Sequence, residues 1–324
     1  MALEERTASG AAAEPVAMRL TTIGYAAEQV HLYEFRPVSG GPVRRFTAGA
    51  HVDLYLPNGL VRQYSIANGE EERDRYLLGV KREAAGRGGS RFIHDGLRVG
   101  TVLPVGGPRN NFPLVEDASH SVLIAGGTGV TPIVSMAARL RSLGRRWQLH
   151  HAVRRRSEAA FVEELRAGGG FHLHVDEEKG GVLDVEHLVS EAAGDAHLYC
   201  CGPAPMLDAF MAAAASRSAH YVHLEHFSAP TAPVAEGGFV VELARSKLVV
   251  SIQPGQTILE ALRARGVQVP SSCEQGVCGS CETRVLAGKP DHRDMLLSPE
   301  ERGTNEVMMI CCSGSRSPVL VLDL

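Results

Sequence analysis

The stretch that decides the fold of the C-terminal part is SSCEQGVCGSCETRV, residues 271–285, where three cysteines stand close together. Cys273, Cys278 and Cys281 follow the spacing C-x4-C-x2-C, and Cys311 comes thirty positions after the third of them. This is the spacing of plant-type [2Fe–2S] ligation. The pattern therefore predicts an iron–sulfur cluster held by the three thiolates of this stretch and a fourth from near position 311.

The residues between the cysteines favour the same interpretation. Gly276, Gly279 and Ser280 allow the chain to wrap closely, so that backbone N–H groups can donate to the sulfurs. A structural zinc site usually pairs two C-x2-C units, and this stretch contains one. Zinc and unligated thiols remain the alternatives. Cys312 adjoins Cys311, and because neighbours on an extended chain point to opposite sides, only one of the two should reach the cluster.

Composition narrows the class of protein. The chain has 324 residues, of which 44% are hydrophobic and 22% charged, with a formal net charge of −4. The weak acidity argues against a nucleic-acid partner. The sequence shows neither an apolar run of the ~20 residues that a membrane span needs nor the apolar core of a signal peptide. We therefore expect a cytoplasmic protein without a membrane, where seven cysteines favour metal or cluster ligation over disulfides.

Changes in the hydrophobic pattern along the chain predict a multi-domain α/β protein. An Ala-rich, disordered tail precedes short alternating segments typical of an antiparallel β-barrel. Strands and helices then alternate, which predicts a doubly wound parallel sheet. A Pro/Ala/Gly linker leads to a small α+β unit that carries the cysteines. The predicted bounds are 1–17 for the tail, 18–113 for the barrel, 114–228 for the parallel sheet, 229–237 for the linker and 238–324 for the last unit.

Two motifs in the barrel predict a flavin site. RQYSIAN, residues 62–68, lies on the second strand of a hairpin and combines a cation, a ring and a hydroxyl in Arg62, Tyr64 and Ser65. GRGGS, residues 86–90, forms a glycine turn before a short helix, where backbone N–H groups can bind a phosphate. Together they fit a flavin mononucleotide. A half-exposed strand followed by an ordinary turn is the alternative.

A third glycine-rich motif predicts a dinucleotide site. AGGTGVTP, residues 125–132, follows an apolar strand and opens a helix, and its turn contains Gly127, Thr128 and Gly129. Pro132 occupies the last position of the motif, so the G-x-G-x-x-G fingerprint is incomplete. The place at the carboxyl end of a parallel strand favours a bound pyrophosphate.

Other patterns are weaker. In CCGPAPM, residues 200–206, Cys201 ends a strand where it could lie against a nicotinamide, although a buried structural cysteine has the same pattern. We assign Cys200 to the core. The fourteen histidines are interpreted as structural. The arginines of RRRSE, residues 154–158, could bind a 2′-phosphate, but a solvated loop is the favoured interpretation.

The motifs RQYS, GRGGS, GGTGVTP, CCGPAPM, EHF and the cysteine run through PDHRD to MMICCS occur in that order. From about residue 18 to 324 the chain resembles the phthalate dioxygenase reductase family. Within that family it looks most similar to vanillate O-demethylase-type reductases and to reductase domains fused to cytochromes P450. One departure is CCSGSRS, in which Gly314 and Ser315 stand where relatives are shorter, next to the expected cluster.

The resemblance implies a ferredoxin-reductase-like barrel that binds FMN, a central NADH domain and a C-terminal ferredoxin domain of β-grasp type. It also selects Cys311 over Cys312 and implies roles for individual residues. The implied residues are Arg62, Tyr64, Ser65 and Phe227 at the flavin ring, Lys81, Gly89 and Ser90 at the flavin and its phosphate, Gly127, Thr128, Gly129 and Pro132 at NADH, Cys201 and Ser65 at the hydride path, and Cys273, Cys278, Cys281 and Cys311 at the cluster.

The implied function is an NADH-dependent oxidoreductase. Electrons would pass from NADH through FMN and the cluster, one at a time, to a terminal oxygenase, either a Rieske-type enzyme or a cytochrome P450. We expect a monomer, FMN rather than FAD, and NADH rather than NADPH. A redox or nucleotide sensor without turnover is the alternative from a different class of protein.

Overall fold

The structure is a computed structural model that describes residues 14–84, 86–227 and 238–324. The chain divides into two compact units, Met1–Phe227 and Ser228–Leu324. The first strand begins at Val16, two residues earlier than the expected start of the barrel. Most of the expected tail and the whole of the expected linker lie outside the described residues. Among the described residues, none of the helices combines the length and the apolarity needed to cross a membrane.

The N-terminal part of the first unit is an antiparallel sheet of six strands in the order β4-β3-β6-β1-β2-β5. A bridge between Ile66 and Leu78 brings the end of β4 to β5 and closes the sheet into the predicted barrel. Inward-facing residues such as Leu20, Phe35 and Leu54 fill its core. The elements are β1 (Val16–Ala27), β2 (Val30–Pro37), β3 (His51–Tyr55), β4 (Val61–Ser65), β5 (Tyr76–Lys81), α1 (Gly89–Gly96) and β6 (Val102–Arg109).

The second half of this unit is the predicted parallel sheet, with five strands in the order β11-β10-β7-β8-β9. Its central strand β7 is buried along its whole length, as expected for a strand covered on both faces. The elements are β7 (Ser121–Gly126), α2 (Val130–Ser142), β8 (Trp147–Val153), α3 (Val162–Arg166), β9 (Phe171–Val175), α4 (Asp176–Lys179), α5 (Val185–Glu191), β10 (His197–Cys201), α6 (Ala204–Ala213) and β11 (Val222–Glu225).

Helices cover the two faces of the parallel sheet. On one face, α2 contributes Ile133, Met136 and Leu140 to a core shared with alternate strand residues. On the other face, α5 and α6 pack over the remaining strand residues, with Phe210 fully buried. This is the doubly wound arrangement that the alternation of strands and helices predicts.

The second unit is a mixed five-stranded sheet with the order β13-β12-β18-β14-β16 and its own core. Strands β12 and β18 are parallel, whereas the other pairs are antiparallel. A capping box between Thr257 and Glu260 begins the helix α7. The elements are β12 (Phe239–Leu243), β13 (Leu248–Ile252), α7 (Ile258–Ala264), β14 (Glu282–Ala287), β15 (Pro290–Asp291), α8 (Pro299–Thr304), β16 (Val307–Met309), β17 (Gly314–Ser315) and β18 (Val319–Leu322).

Gly314 and Ser315, the two residues that depart from the family pattern, form β17. This strand pairs with β15 in a separate two-stranded sheet, in which Pro290 faces Ser315 and Asp291 faces Gly314. The departure is therefore accommodated in a small sheet of its own, outside the five-stranded sheet.

Candidate functional site

The four cysteines assigned to a cluster come together in the second unit, and each of them is buried. The thiol of Cys273 lies within hydrogen-bonding reach of those of Cys278 and Cys311, and the thiol of Cys311 also reaches Cys281. Among the described residues, no three His, Cys, Asp or Glu side chains are arranged to hold a single metal ion. A [2Fe–2S] cluster does not need three such side chains around one metal ion, because its four thiolates are divided between two irons.

The backbone of the cysteine loop fits the same group. The N–H of Gln275 donates to the Cys273 sulfur at 3.3 Å, and the N–H of Ser280 donates to the Cys278 sulfur at 3.4 Å. Gly276 has φ +72°, and a Cβ there would lie 2.5 Å from the Cys312 sulfur. Only glycine fits this position. Inward-pointing N–H groups and the absent side chain together form a cradle for a sulfur-rich group.

Cys312 differs from its neighbour Cys311. It is partly exposed, and its thiol lies 3.6 Å from the carbonyl oxygen of Met309, to which it donates. Its thiol also contacts that of Cys311, which lowers the pKa of Cys312. Cys311 alone of the two contacts Cys273 and Cys281. The arrangement supports Cys311 as the fourth ligand.

The two barrel motifs meet in one place. The Arg62 side chain lies across Gly89, so that a Cβ at position 89 would be 2.5 Å from the Arg62 Cγ. The Arg62 guanidinium donates to the carbonyl oxygen of Arg87 at 3.0 Å. Gly88 precedes α1 with φ 84°, a conformation that favours glycine. The predicted ring site on β4 and the predicted phosphate site at α1 are thus parts of one surface.

The remaining residues assigned to the flavin have different surroundings. Lys81 forms an exposed ion pair of 3.1 Å with Glu83, and the Ser90 hydroxyl accepts from the Glu83 N–H at 3.1 Å. Ser65 is buried at the end of β4, whereas Phe227 is 45% exposed. Lys81, at the end of β5, and Ser90, in the first turn of α1 beside Gly89, therefore both contact Glu83, and the Phe227 ring is open to solvent.

The glycine turn after β7 lies against the end of β10. A Cβ on Gly129 would be 2.0 Å from the carbonyl oxygen of Cys201, so this position cannot carry a side chain. Gly127 is exposed and Thr128 is half-buried, whereas Gly129 and Pro132 are buried. The first two can reach a ligand. The second two shape the turn instead, which refines the roles that the resemblance implies for them.

The two adjacent cysteines of β10 face opposite sides of the parallel sheet. Cys201 belongs to the core beneath α2, and Cys200 belongs to the core beneath α5 and α6. Both are fully buried, and burial raises the pKa of each thiol. Cys201 is thus a neutral thiol at the carboxyl end of its strand, next to the glycine turn.

Glu225 is a candidate residue that sequence reasoning missed. It is the register partner of Cys201 on the neighbouring parallel strand. One of its carboxylate oxygens, Oε2, is buried without a hydrogen-bond partner among the described residues, and burial raises the pKa of Glu225 to about 8. Perturbed acids of this kind are typical of functional sites. Glu225 is the first residue of the motif EHF, of which only Phe227 is implied as a site residue by the family resemblance.

Two of the three arginines after β8 form ion pairs with carboxylates. Arg155 forms ion pairs with Glu158 at 2.8 Å and Glu28 at 3.3 Å, and Arg156 forms one with Glu178 at 2.6 Å. All three pairs are solvent-exposed, so each contributes little to stability. Their geometry agrees with the interpretation of a charged loop rather than a ready 2′-phosphate pocket.

Comparisons with protein families match the two units separately. Residues 241–315 match the 2Fe-2S iron-sulfur cluster binding domain, and residues 123–211 match the oxidoreductase NAD-binding domain. Among curated relatives, phenoxybenzoate dioxygenase subunit beta of Ectopseudomonas oleovorans is 51% identical and covers 96% of this chain and 98% of its own. Vanillate O-demethylase oxidoreductase of Pseudomonas putida is 39% identical and covers 92% of this chain and 96% of its own.

Solved structures agree with these relatives. A self-sufficient cytochrome P450 monooxygenase matches with a TM-score of 0.87 and 36% identity over 96% of this chain, although only 41% of that longer chain is covered. Phthalate dioxygenase reductase, described as a modular structure for electron transfer from pyridine nucleotides to [2Fe–2S], matches with a TM-score of 0.73 and 36% identity. That match covers 96% of this chain and 98% of the other. This chain belongs to the phthalate dioxygenase reductase family.

Proposed function

We propose that the protein passes electrons from NADH through FMN and a [2Fe–2S] cluster, one at a time, to a terminal oxygenase. The observation that carries this proposal is the convergence of four buried cysteine thiols, with backbone donors aimed at the sulfurs, in the unit that follows the flavin and nucleotide motifs. The order of these sites along the chain matches the order in which the electrons would move. Such an arrangement supports a reductase more than a sensor.

In this proposal the residues of the chain bind, orient and exclude water. FMN supplies the step from two-electron to one-electron chemistry when it is bound. Arg62 and Gly89 form its binding surface, and Gly127 and Thr128 face the dinucleotide. Cys201 lies behind that turn as a fully buried, uncharged thiol, because burial raises its pKa well above the ordinary value. A neutral, dry site protects a hydride from water.

A Rieske-type oxygenase is the partner that we favour. The relatives named as phenoxybenzoate dioxygenase and vanillate O-demethylase components match this chain over nearly their whole length. The second candidate is a cytochrome P450, since 41% of a self-sufficient cytochrome P450 monooxygenase matches this chain with the TM-score of 0.87. Reconstitution separates them: substrate turnover with a purified Rieske oxygenase, and none with a P450, is the expected result.

NADH is the proposed donor because Arg155 and Arg156 are held by carboxylates. We also propose a cytoplasmic monomer. None of the seven cysteines, all of which lie in the described part of the chain, forms a disulfide bond, which suits a reducing compartment, and light scattering of the purified protein tests the monomer.

The experiment that tests the function begins with the visible spectrum of purified protein before and after anaerobic NADH. Flavin bands together with a broader cluster absorption should both bleach. Rapid reduction of cytochrome c by NADH, and a slower rate with NADPH, should follow. A protein that binds both cofactors but reduces cytochrome c negligibly would be a sensor. Extraction of FAD instead of FMN would contradict the flavin assignment.

A further inference from the structure

Asp294 belongs to the segment PDHRD that follows the cysteine loop, and it is 1% exposed. Its Oδ2 accepts from the N–H of Leu297 at 2.8 Å and from that of Leu296 at 3.2 Å. The next residue, Met295, donates its N–H to the carbonyl oxygen of Gly276 at 2.9 Å. Asp294 thus fixes the turn that binds to the cysteine loop.

The contact between this turn and the cysteine loop is close. A Cβ on Gly276 would lie 2.9 Å from the Asp294 Cα and 2.5 Å from the Cys312 sulfur. Gly276 stands between Cys273 and Cys278, which are proposed ligands. Asp294 therefore lies against the loop that would hold the cluster.

Nearby cations do not form short ion pairs with this carboxylate. Oδ1 is buried and has no hydrogen-bond partner among the described residues. The Arg302 Nη2 lies 3.9 Å from Oδ2, and the imidazole Nδ1 of His292 lies 3.8 Å from Oδ1. The Arg302 guanidinium donates instead to the backbone carbonyl of Asp294. Both separations exceed hydrogen-bond length, so the charge of Asp294 is incompletely compensated.

We propose that Asp294 lowers the reduction potential of the [2Fe–2S] cluster while it positions the loop that covers the cluster. The inference rests on the proposed function, since it needs the cluster. Reduction adds one electron from reduced flavin or dithionite and makes the site more negative by one charge. A buried carboxylate opposes that gain, because charges interact strongly where water is excluded. Net charge and hydrogen bonds are the usual determinants of such potentials.

Asp291 provides a matched comparison within the same segment. It is a carboxylate three positions earlier, but Arg293 holds it at 2.7 Å and Arg316 at 3.1 Å. Its side chain is 23% exposed. Because its charge is neutralised by two arginines and reached by water, removal of this charge should change the potential little.

The test is the midpoint potential of the full-length protein, titrated with mediators and followed by the EPR signal of the reduced cluster. Asp294→Asn retains an oxygen that can accept from Leu296 and Leu297. At the midpoint potential of the wild type, we expect the ratio of reduced to oxidised cluster in Asp294→Asn to be about tenfold higher than in wild type. A tenfold change corresponds to a shift of 59 mV for one electron. Asp291→Asn should change the ratio less than about twofold, in keeping with a screened surface charge.

Arg302→Gln is the second variant, because it leaves the carboxylate in place and removes the nearest guanidinium. The ratio of reduced to oxidised cluster should then fall, about twofold to threefold for a partly exposed charge. Equal shifts in Asp294→Asn and Asp291→Asn would overturn the proposal, as would an unchanged potential in an Asp294→Asn protein with a full cluster spectrum. A wild-type protein that never shows cluster absorption would instead refute the proposed function.

Discussion

The side chain of Arg62 lies across Gly89, where an added Cβ would come within 2.5 Å of the Arg62 Cγ. Gly89→Ala should therefore displace Arg62 and weaken FMN binding by about tenfold, or roughly 1.4 kcal/mol. Gly194→Ala is the control, because no atom lies within 4 Å of its added methyl group. Fluorescence titration of the deflavinated protein with FMN measures both. Equal FMN affinities of Gly89→Ala and Gly194→Ala would show that this surface does not belong to the flavin site.

Cys311→Ser and Cys312→Ser separate the ligand from its neighbour. Cys311 contacts Cys273 and Cys281, so its replacement should abolish the cluster spectrum and the reduction of cytochrome c. Reduction of ferricyanide by NADH should persist, since it needs only the flavin. Cys312→Ser should keep the cluster. The opposite outcome would make Cys312 the ligand, and loss of both activities in Cys311→Ser would contradict separate functional units.

Cys201→Ala and Cys200→Ala test the two faces of β10. Cys201 lies beneath α2 and beside the glycine turn, whereas Cys200 lies in the core under α5 and α6. Both replacements should cost about 1 kcal/mol of stability through the lost sulfur contacts. Only Cys201→Ala should lower the kcat of ferricyanide reduction, by about tenfold. Similar kcat values in the two variants would argue for a purely structural Cys201.

Glu225 should make stability depend on pH. Burial raises its pKa from 4.5 to about 8, so the folded protein holds a proton that the unfolded chain releases. The stability associated with this proton is present below pH 4.5 and is lost as pH rises towards 8, at up to about 1.4 kcal/mol per pH unit. Glu225→Gln should remove that loss. The free energy of unfolding of Glu225→Gln, relative to that of wild type, should therefore be higher at pH 7.5 than at pH 5.

Urea unfolding at these two pH values measures the effect, with the fluorescence of Trp147, the single tryptophan, as the probe in the same sheet. Glu186→Gln on the exposed side of α5 is the control. A stability difference between Glu225→Gln and wild type that is identical at both pH values would show that Glu225 titrates normally.

The parts of the fold that could be predicted are those specified locally. The alternation of strands and helices predicts the parallel sheet, and the Asn58-Gly59 turn predicts the β3–β4 hairpin. The cysteine spacing predicts a cluster loop because three of the four thiols are neighbours in sequence.

The parts that could not be predicted depend on register between distant segments. Glu225 gains significance only because β11 pairs with β10 and brings it beside Cys201. The close approach of Gly129 to the Cys201 carbonyl joins segments more than seventy positions apart. The sequence around Asp294 likewise does not predict its role, because that role depends on the buried turn that Asp294 stabilises.

The ion pairs after β8 bear on any attempt to change the coenzyme. A donor that carries an extra phosphate would have to displace Glu178 from Arg156 and Glu158 from Arg155 before either arginine could receive it. Engineering for NADPH would therefore begin by deleting carboxylates, because the positive charge is already in place.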